Sequence, residues 1–571
     1  MPTSYESKHS ECISQVVSIV LRCWPAACRP SWLKTRKDVT NVLKERLASH
    51  TLYNRLSGSN VDIKSLLFSA DPNRCMMKSY NNLQKLGSGA FGAVFKAQCR
   101  LTHEWRAIKK LPLSDVADDM AFVYAELEAM IHLHHPNVVK FYEHFEQENA
   151  LFMVTELCDG GDFSELNHGI DDPQEVKLLI RDVVMALAYC HDHGVAHRDL
   201  KFENCLIKNS YKNHRVGKVI DFGLSAIRTQ GDEEHTFLNE QLGTRFFVAP
   251  EVIDKSIPYG CKCDCWSLGV MLYIIMTDEH PCCPDAHKME TPTLFGKILT
   301  GRVRQRPLQD AGLDYDACQL LMGLLEKNPA ARMDAQGALR SKWLANIKDV
   351  RPRTPSHKLD NINTDATSPN SSKSMKSPIS PLTHGTIRRL AAFRHYSKFE
   401  RAVLTLVAHR SEEQHIAELR ETFHLLDTSK TGSLSKSEIR EGIRLCGHQM
   451  KEDELNEIFS ALDADGTGKV HYTEWLAATM KPSTLATDTA IKQVFHYLDI
   501  DQTGLIKPHE LFRVLGCSDT VKTVLDAADA DGDSVINEEE FRALMRNMAK
   551  RLDKFEVHPR RLGFQLPLAP A

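Results

Sequence analysis

Four twelve-residue stretches of the chain begin on Asp and end on Glu, with an oxygen-bearing side chain at alternate positions between. In the first, Asp427, Ser429 and Thr431 lead to Glu438; in the second, Asp463, Asp465 and Thr467 lead to Glu474. The third runs through Asp499, Asp501 and Thr503 to Glu510, and the fourth through Asp529, Asp531 and Asp533 to Glu540. This spacing puts ligand oxygens at positions 1, 3 and 5, a backbone carbonyl at 7 (Ser433, Lys469, Leu505, Val535) and a bidentate carboxylate at 12, an EF-hand cage for Ca²⁺. Position 6 is Gly432, Gly468 or Gly504 in three loops and Ser534 in the fourth. Position 8 is apolar each time (Leu434, Val470, Ile506, Ile536), as pairing of adjacent loops requires. Acidic turns between solvated helices would not repeat this combination. Loop one offers the fewest carboxylates and is expected to be the weakest site. Lys507 at position 9 weakens loop three, and Ser534 strains the turn of loop four.

A second chemistry is written further upstream. Leu86, Gly87, Ser88, Gly89, Ala90, Phe91, Gly92, Ala93 and Val94 form a glycine-rich loop, where missing Cβ atoms let backbone approach phosphate oxygens. A dinucleotide fold uses the same letters, but here the chain continues as a strand rather than opening a helix. Lys109 ends a further strand-like run, placed to hold α- and β-phosphates, and Glu126 on the next helix is placed to orient it.

His197-Arg198-Asp199-Leu200-Lys201-Phe202-Glu203-Asn204, then Asp221-Phe222-Gly223, then Ala249-Pro250-Glu251 follow in order. The series resembles the eukaryotic protein kinase signature over about 80–344. The resemblance implies that Asp199 accepts the proton of a substrate hydroxyl and Lys201 neutralises the moving phosphoryl group. Asn204 and Asp221 would hold Mg²⁺. It also implies that Val94, Ala107 and Leu206 enclose the adenine of ATP, that Leu86 belongs to the nucleotide-binding set, and that Thr155 is the gatekeeper before the hinge Glu156-Leu157-Cys158. Lys201 and Thr244 resemble the Ser/Thr branch, so the implied substrates are protein Ser/Thr hydroxyls. A preference for nearby basic residues rests on Asp162 and Glu203. Asp264 resembles the buried Asp that braces the catalytic loop, and Arg332 the Arg that pairs with Glu251.

Behind these sites lies a clear organisation. Residues 1–79 form an N-terminal extension, 80–344 the kinase unit and 345–385 a Ser/Pro-rich linker too poor in large apolar residues to fold alone. Thr236 lies in the activation segment as an available phosphorylation site, and Glu233 and Glu234 there could instead face Arg198 as fixed charges. A basic amphipathic helix spans 386–410, four helix–loop–helix units occupy 411–550, and a tail runs over 551–571. Kinase, basic helix and EF-hands in that order resemble the plant- and protist-type calcium-dependent protein kinases over about 80–548. That likeness implies a bilobal α+β protein kinase fold followed by an all-α calmodulin-like domain of two EF-hand pairs. It further implies that the 386–410 helix inhibits the kinase until calcium-loaded EF-hands relocate it. Arg388-Arg389-Leu390-Ala391-Ala392 reads equally as a pseudosubstrate without a hydroxyl or as a plain connector. Two other readings stand beside this one: a calcium-binding scaffold with an inert kinase fold, and a kinase answering to separate calmodulin.

The 571 residues carry a formal net charge of −4, which indicates no general affinity for nucleic acid. The 16 cysteines are scattered through a long chain, so reduced thiols are expected, and Cys261, Cys263 and Cys265 read as kinase helix rather than metal site. A cytoplasmic protein without a transmembrane segment is expected. Pro2 rules out N-myristoylation, while Cys12, Cys23 and Cys28 leave acylation open.

Overall fold

The computed structural model describes residues 75–557, apart from 348–381, 228–243, the stretches 90–91, 114–119, 167–172, 211–213 and 255–258, and positions 224, 346, 412, 449, 465 and 516. The N-terminal cysteines, Thr236, Glu233, Glu234 and Asp465 therefore lie outside the described residues.

A five-stranded antiparallel sheet builds the N-terminal lobe. Strands β1 (Tyr80–Gly89), β2 (Gly92–Cys99), β3 (Trp105–Pro112), β4 (Phe141–Gln147) and β5 (Ala150–Glu156) are ordered β1-β2-β3-β5-β4. Its outer face buries Tyr80, Ala97, Ile108, Phe145 and Val154 in a small core of its own. Helix α1 (Met120–His132) delivers Glu126 beside the sheet. The C-terminal lobe is helical, built around α2 (Pro173–Asp192) and α3 (Lys262–Thr277). Both are apolar over most of their surface, as helices inside a large core are, and α3 buries Cys263, Cys265 and Trp266. The three cysteines thus belong to a packed helix and its cap, as expected.

The basic segment after the linker is two helices rather than one: α4 (His384–Phe393) and α5 (Lys398–Arg410). Ser397 ends the continuity. Its side chain and that of Glu400 cap α5 reciprocally, and the chain turns between them. Four EF-hand units follow, with α6 (Glu413–Leu426), α7 (Lys436–Leu445), α8 (Glu452–Leu462), α9 (Tyr472–Thr479), α10 (Asp488–Leu498), α11 (Pro508–Leu515), α12 (Ser518–Ala528) and α13 (Glu538–Val557). Adjacent loops pair through short antiparallel ladders: β6 (Ser433–Leu434) with β7 (Val470–His471), and β8 (Leu505–Ile506) with β9 (Ile536–Asn537). The apolar position-8 residues form these ladders, as their repetition predicts.

The EF-hand helices close around the junction. Helix α4 packs on α8, α9 and α13, and α5 packs on α9, α10, α11 and α12. Ile387, Leu390, Phe393, Val403, Leu406 and Val407 are all buried there. One contiguous apolar core runs from the C-terminal lobe through these helices into the EF-hands. Burial of that size is the main stabiliser of the arrangement.

Candidate active site and calcium loops

The catalytic loop is held by a buried acid. Asp264, at the start of α3, accepts from the backbone N–H of His197 (2.9 Å) and of Arg198 (2.8 Å), and pairs with His191 (2.8 Å). Burial opposes its ionisation, but the His191 contact wins and leaves its carboxyl below the usual range. Arg198 sits at φ 67 and Asp221 at φ 62, a left-handed backbone that non-glycine residues adopt only when the surroundings impose it. The strain marks where the loop is forced into shape.

That bracing brings the predicted residues together. Lys201 Nζ lies 2.6 Å from Asp199 Oδ2, and Asn204 Nδ2 donates to the Asp199 carbonyl at 2.8 Å. Fixing the Asn204 amide this way leaves its oxygen as an acceptor. Thr244 donates from both its backbone N and its hydroxyl to Asp199 Oδ1, each at 2.9 Å. In the sequence Thr244 reads only as a marker of the Ser/Thr branch; its grip on the Asp199 carboxylate depends on a fold-back that no local pattern shows.

Across the cleft, Lys109 Nζ meets Glu126 Oε1 at 2.7 Å and Asp221 Oδ1 at 2.9 Å. Burial alone would lower the Lys109 pKa, but the two carboxylates outweigh it and keep the ammonium charged. Phe222 is buried against His197, with ring centres 5.1 Å apart. Lys109, Glu126 and Asp221 therefore stand in one assembled cluster. Glu251 and Arg332 form a buried bidentate pair at 2.5 and 2.7 Å, as predicted.

The nucleotide side of the cleft follows the expectation in part. Leu86 is 55% exposed at the rim, and Val94, Ala107, Thr155 and Leu206 are half-buried. A Cβ on Gly87 would meet nothing within 4 Å, whereas one on Gly92 would lie 2.0 Å from the Lys110 carbonyl. Gly92 is thus demanded by the β2–β3 packing as well as by any phosphate; Gly89 pairs with it across the hairpin. The Glu156 side chain turns away from the cleft to Lys208 (2.5 Å) and Lys218 (2.7 Å). Burial pushes its carboxyl up, but these two lysines hold it well below the usual range. Only its backbone is left to meet a nucleotide. Burial pushes the Cys158 thiol up to about 12, so it stays protonated. Asp162 caps the turn at 163–165 by accepting from Ser164 N at 2.8 Å, while Glu203 is exposed beside the catalytic loop.

All four EF-hand loops are wound inward around the position-12 carboxylate. Glu438 accepts from Ser429 N (2.9 Å) and Ser435 N (2.8 Å), and Glu474 from Ala464 N (3.0 Å) and His471 N (2.8 Å). Glu510 accepts from Ile500 N (2.7 Å) and Lys507 N (2.8 Å), and Glu540 from Ala530 N (2.9 Å) and Asn537 N (3.0 Å). At position 6, the N–H groups of Gly432, Gly468, Gly504 and Ser534 reach the first Asp of their loops at 2.8–2.9 Å. Asp499, Asp501 and Glu510 bring carboxylate oxygens within 4.8 Å of one another, as do Asp529, Asp531 and Asp533. Gathered carboxylates on short, wound loops fit a hard divalent cation such as Ca²⁺. Ser534 holds φ 66, the strain expected of a non-glycine there. The Lys507 ammonium pairs with Asp501.

Loops one and two do more than hold oxygens. A Cβ on Gly432 would lie 2.5 Å from His135 and 2.8 Å from Tyr189, so loop one is pressed onto the kinase. Lys469 of loop two reaches Asp192 at the end of α2 (2.6 Å), and Thr473 meets His134 (3.2 Å). Spacing alone could not show this contact, because its two sides lie far apart in the chain.

The protein kinase domain family matches residues 80–344, the EF-hand domain pair family 416–480 and the EF hand family 521–545. Calcium-dependent protein kinase 12 of Arabidopsis thaliana is 30% identical over 65% of this chain and 69% of its own. The likeness to calcium-dependent protein kinase 15 of Oryza sativa subsp. japonica is also 30%, across 82% of this chain and 81% of the relative. The chain belongs to the calcium-dependent protein kinases. This kinase therefore has a serine/threonine phosphoryl-transfer site for ATP and Mg²⁺ and carries EF-hands for Ca²⁺. Asn204 and Asp221 would hold Mg²⁺, which would supply charge neutralisation for the phosphates. The chain itself holds the Asp199 carboxylate through Thr244 and keeps Lys201 beside it. Among the described residues no helix is long and apolar enough to cross a membrane.

Proposed function

We propose that calcium at its own EF-hands switches this kinase on, and that the junction segment 386–410 restrains it until the EF-hands take that segment up. One observation carries the reading: the catalytic cluster is assembled in the same arrangement in which α4 and α5 pack their apolar faces against the EF-hand helices. Arg389 is buried, donating from Nε to the Thr479 carbonyl at 2.6 Å. A segment committed in this way cannot also occupy a substrate cleft. Withdrawing calcium loosens the loops that grip it and that press on His135 and Asp192, which frees the segment.

The magnitudes allow a calcium-only switch. Taking a two-state equilibrium from mostly off to mostly on needs about 5.5 kcal/mol of differential binding. Four sites with roughly tenfold preference each supply about that, at ~1.4 kcal/mol per site. Substrates are protein Ser/Thr hydroxyls near basic residues, for which the exposed Glu203 carboxylate is the better-placed partner, since Asp162 is engaged locally. Peptide phosphorylation by the purified full chain, measured against free calcium with magnesium constant, tests the switch. Activity is expected to collapse in EGTA, and a chain ending at 345 to work without calcium. A calcium-independent full chain, or a dead truncation, would remove the reading.

A further inference from the structure

We infer that the cavity where the N-terminal lobe, the end of α5 and helix α10 meet is a binding site for a phosphate-class oxyanion. It encloses about 270 Å³. The chain just before β1 contributes Lys78 and Ser79, and the kinase contributes Arg100 in the β2–β3 turn and Arg106 on β3. The junction contributes Arg410, and the EF-hand domain closes the wall with His496 and Tyr497.

Charge in this cavity is unbalanced. Four cationic side chains (Lys78, Arg100, Arg106 and Arg410) line it against one carboxylate, Glu143. That carboxylate is already shared: Glu143 Oε1 accepts from Tyr80 OH at 2.7 Å and from Arg410 at 3.4 Å. Arg106 has a side chain only 10% exposed, yet its nearest carboxylate, Glu104, is 3.8 Å away and 41% exposed. Its hydrogen bond goes to the Trp105 carbonyl beside it, which occupies one of five N–H donors. The two guanidinium groups flank a single ring, Arg106 at 4.2 Å and Arg410 at 5.9 Å from the centre of Tyr142. Stacking fixes their planes and sets like charges near each other.

Two buried donors on the cavity wall, Arg410 Nε and Ser79 Oγ, have no acceptor among the described residues. Buried donors without acceptors are costly, and donors converging on an excess of positive charge ask for an anion. Forked guanidinium donors suit a tetrahedral oxyanion. The volume lies below the range usual for organic cofactors, so the ligand is small: an inorganic phosphate or a phosphorylated side chain. Because the walls come from kinase, junction and sensor, a bound anion ties the three together and favours the docked arrangement by linkage. That would make it an input additional to calcium.

The test uses the full chain at micromolar free calcium, with the ATP cleft filled by a non-hydrolysable nucleotide. Inorganic phosphate is titrated against chloride at matched ionic strength, before and after phosphatase treatment, by calorimetry and thermal unfolding. One saturable site that raises the unfolding midpoint is expected, with Arg100→Gln and Arg410→Gln each weakening it at least tenfold. Arg100 is exposed, so its substitution leaves folding in chloride unchanged. Uptake only after phosphatase treatment assigns the site to a phosphorylated side chain of this chain; uptake in both forms assigns it to the free anion. No saturable uptake by either form, or equal uptake by both variants, overturns the inference.

Discussion

At the scale of single residues, the contrast between loops three and four is instructive. Both gather three carboxylates within ligating distance, but in loop three the Lys507 ammonium already sits on Asp501. The hydrogen bond from Lys507 holds the Asp501 carboxyl down at about 2, so Asp501 stays ionised at every physiological pH but is partly occupied. A cation entering loop three must displace that lysine. Lys507→Gln is expected to raise calcium affinity at loop three roughly two- to fivefold, the scale of an exposed ion pair. Calorimetric titration of the full chain would show it, and unchanged affinity would mean the lysine swings aside without cost.

At the scale of elements, the loop-one turn and the kinase surface beneath it act as a single contact. Gly432 holds φ 74 and abuts His135 and Tyr189, whereas Gly468, at φ 77 in loop two, would have nothing within 4 Å of a Cβ. Both backbones penalise a side chain, but only one site also clashes with the kinase. Gly432→Val is therefore expected to reduce calcium activation much further than Gly468→Val, as measured by half-maximal calcium and maximal rate.

The same surface carries a pH signature. Burial, then the positive charge of Lys218 and neighbouring His193, drops His135 from 6.5 to about 3, so the folded chain holds this ring neutral. Between these values the unfolded chain binds more protons. The contribution to stability is complete above about pH 6.5 and declines as pH falls through that window, by up to about 1.4 kcal/mol per pH unit. Urea unfolding between pH 7.5 and 5 should follow that slope, and His135→Asn should flatten it.

At the scale of the whole molecule, kinase and sensor share one apolar core, with α4 and α5 inside it. Separate domains with a polar seam would unfold separately. Calcium-loaded protein is expected to unfold in a single calorimetric transition, and EGTA to split it into two as the sensor lets go. Two transitions in both conditions would mean that the shared core does not couple the units.

Much of the chemistry was legible from local spacing. An EF-hand cage or a catalytic loop is assembled from residues a few positions apart, so the four loop patterns and the series from Asp199 to Asp221 could be read directly. Each described loop then folded as its pattern required. The sequence determined which reactions and which ions this chain can handle. The tertiary structure alone decided what meets across the fold: Thr244 on Asp199, Gly432 on His135, and the cationic cavity between Arg106 and Arg410. These contacts join residues remote in the chain, and their energy comes from burial and charge placement, which periodicity does not encode.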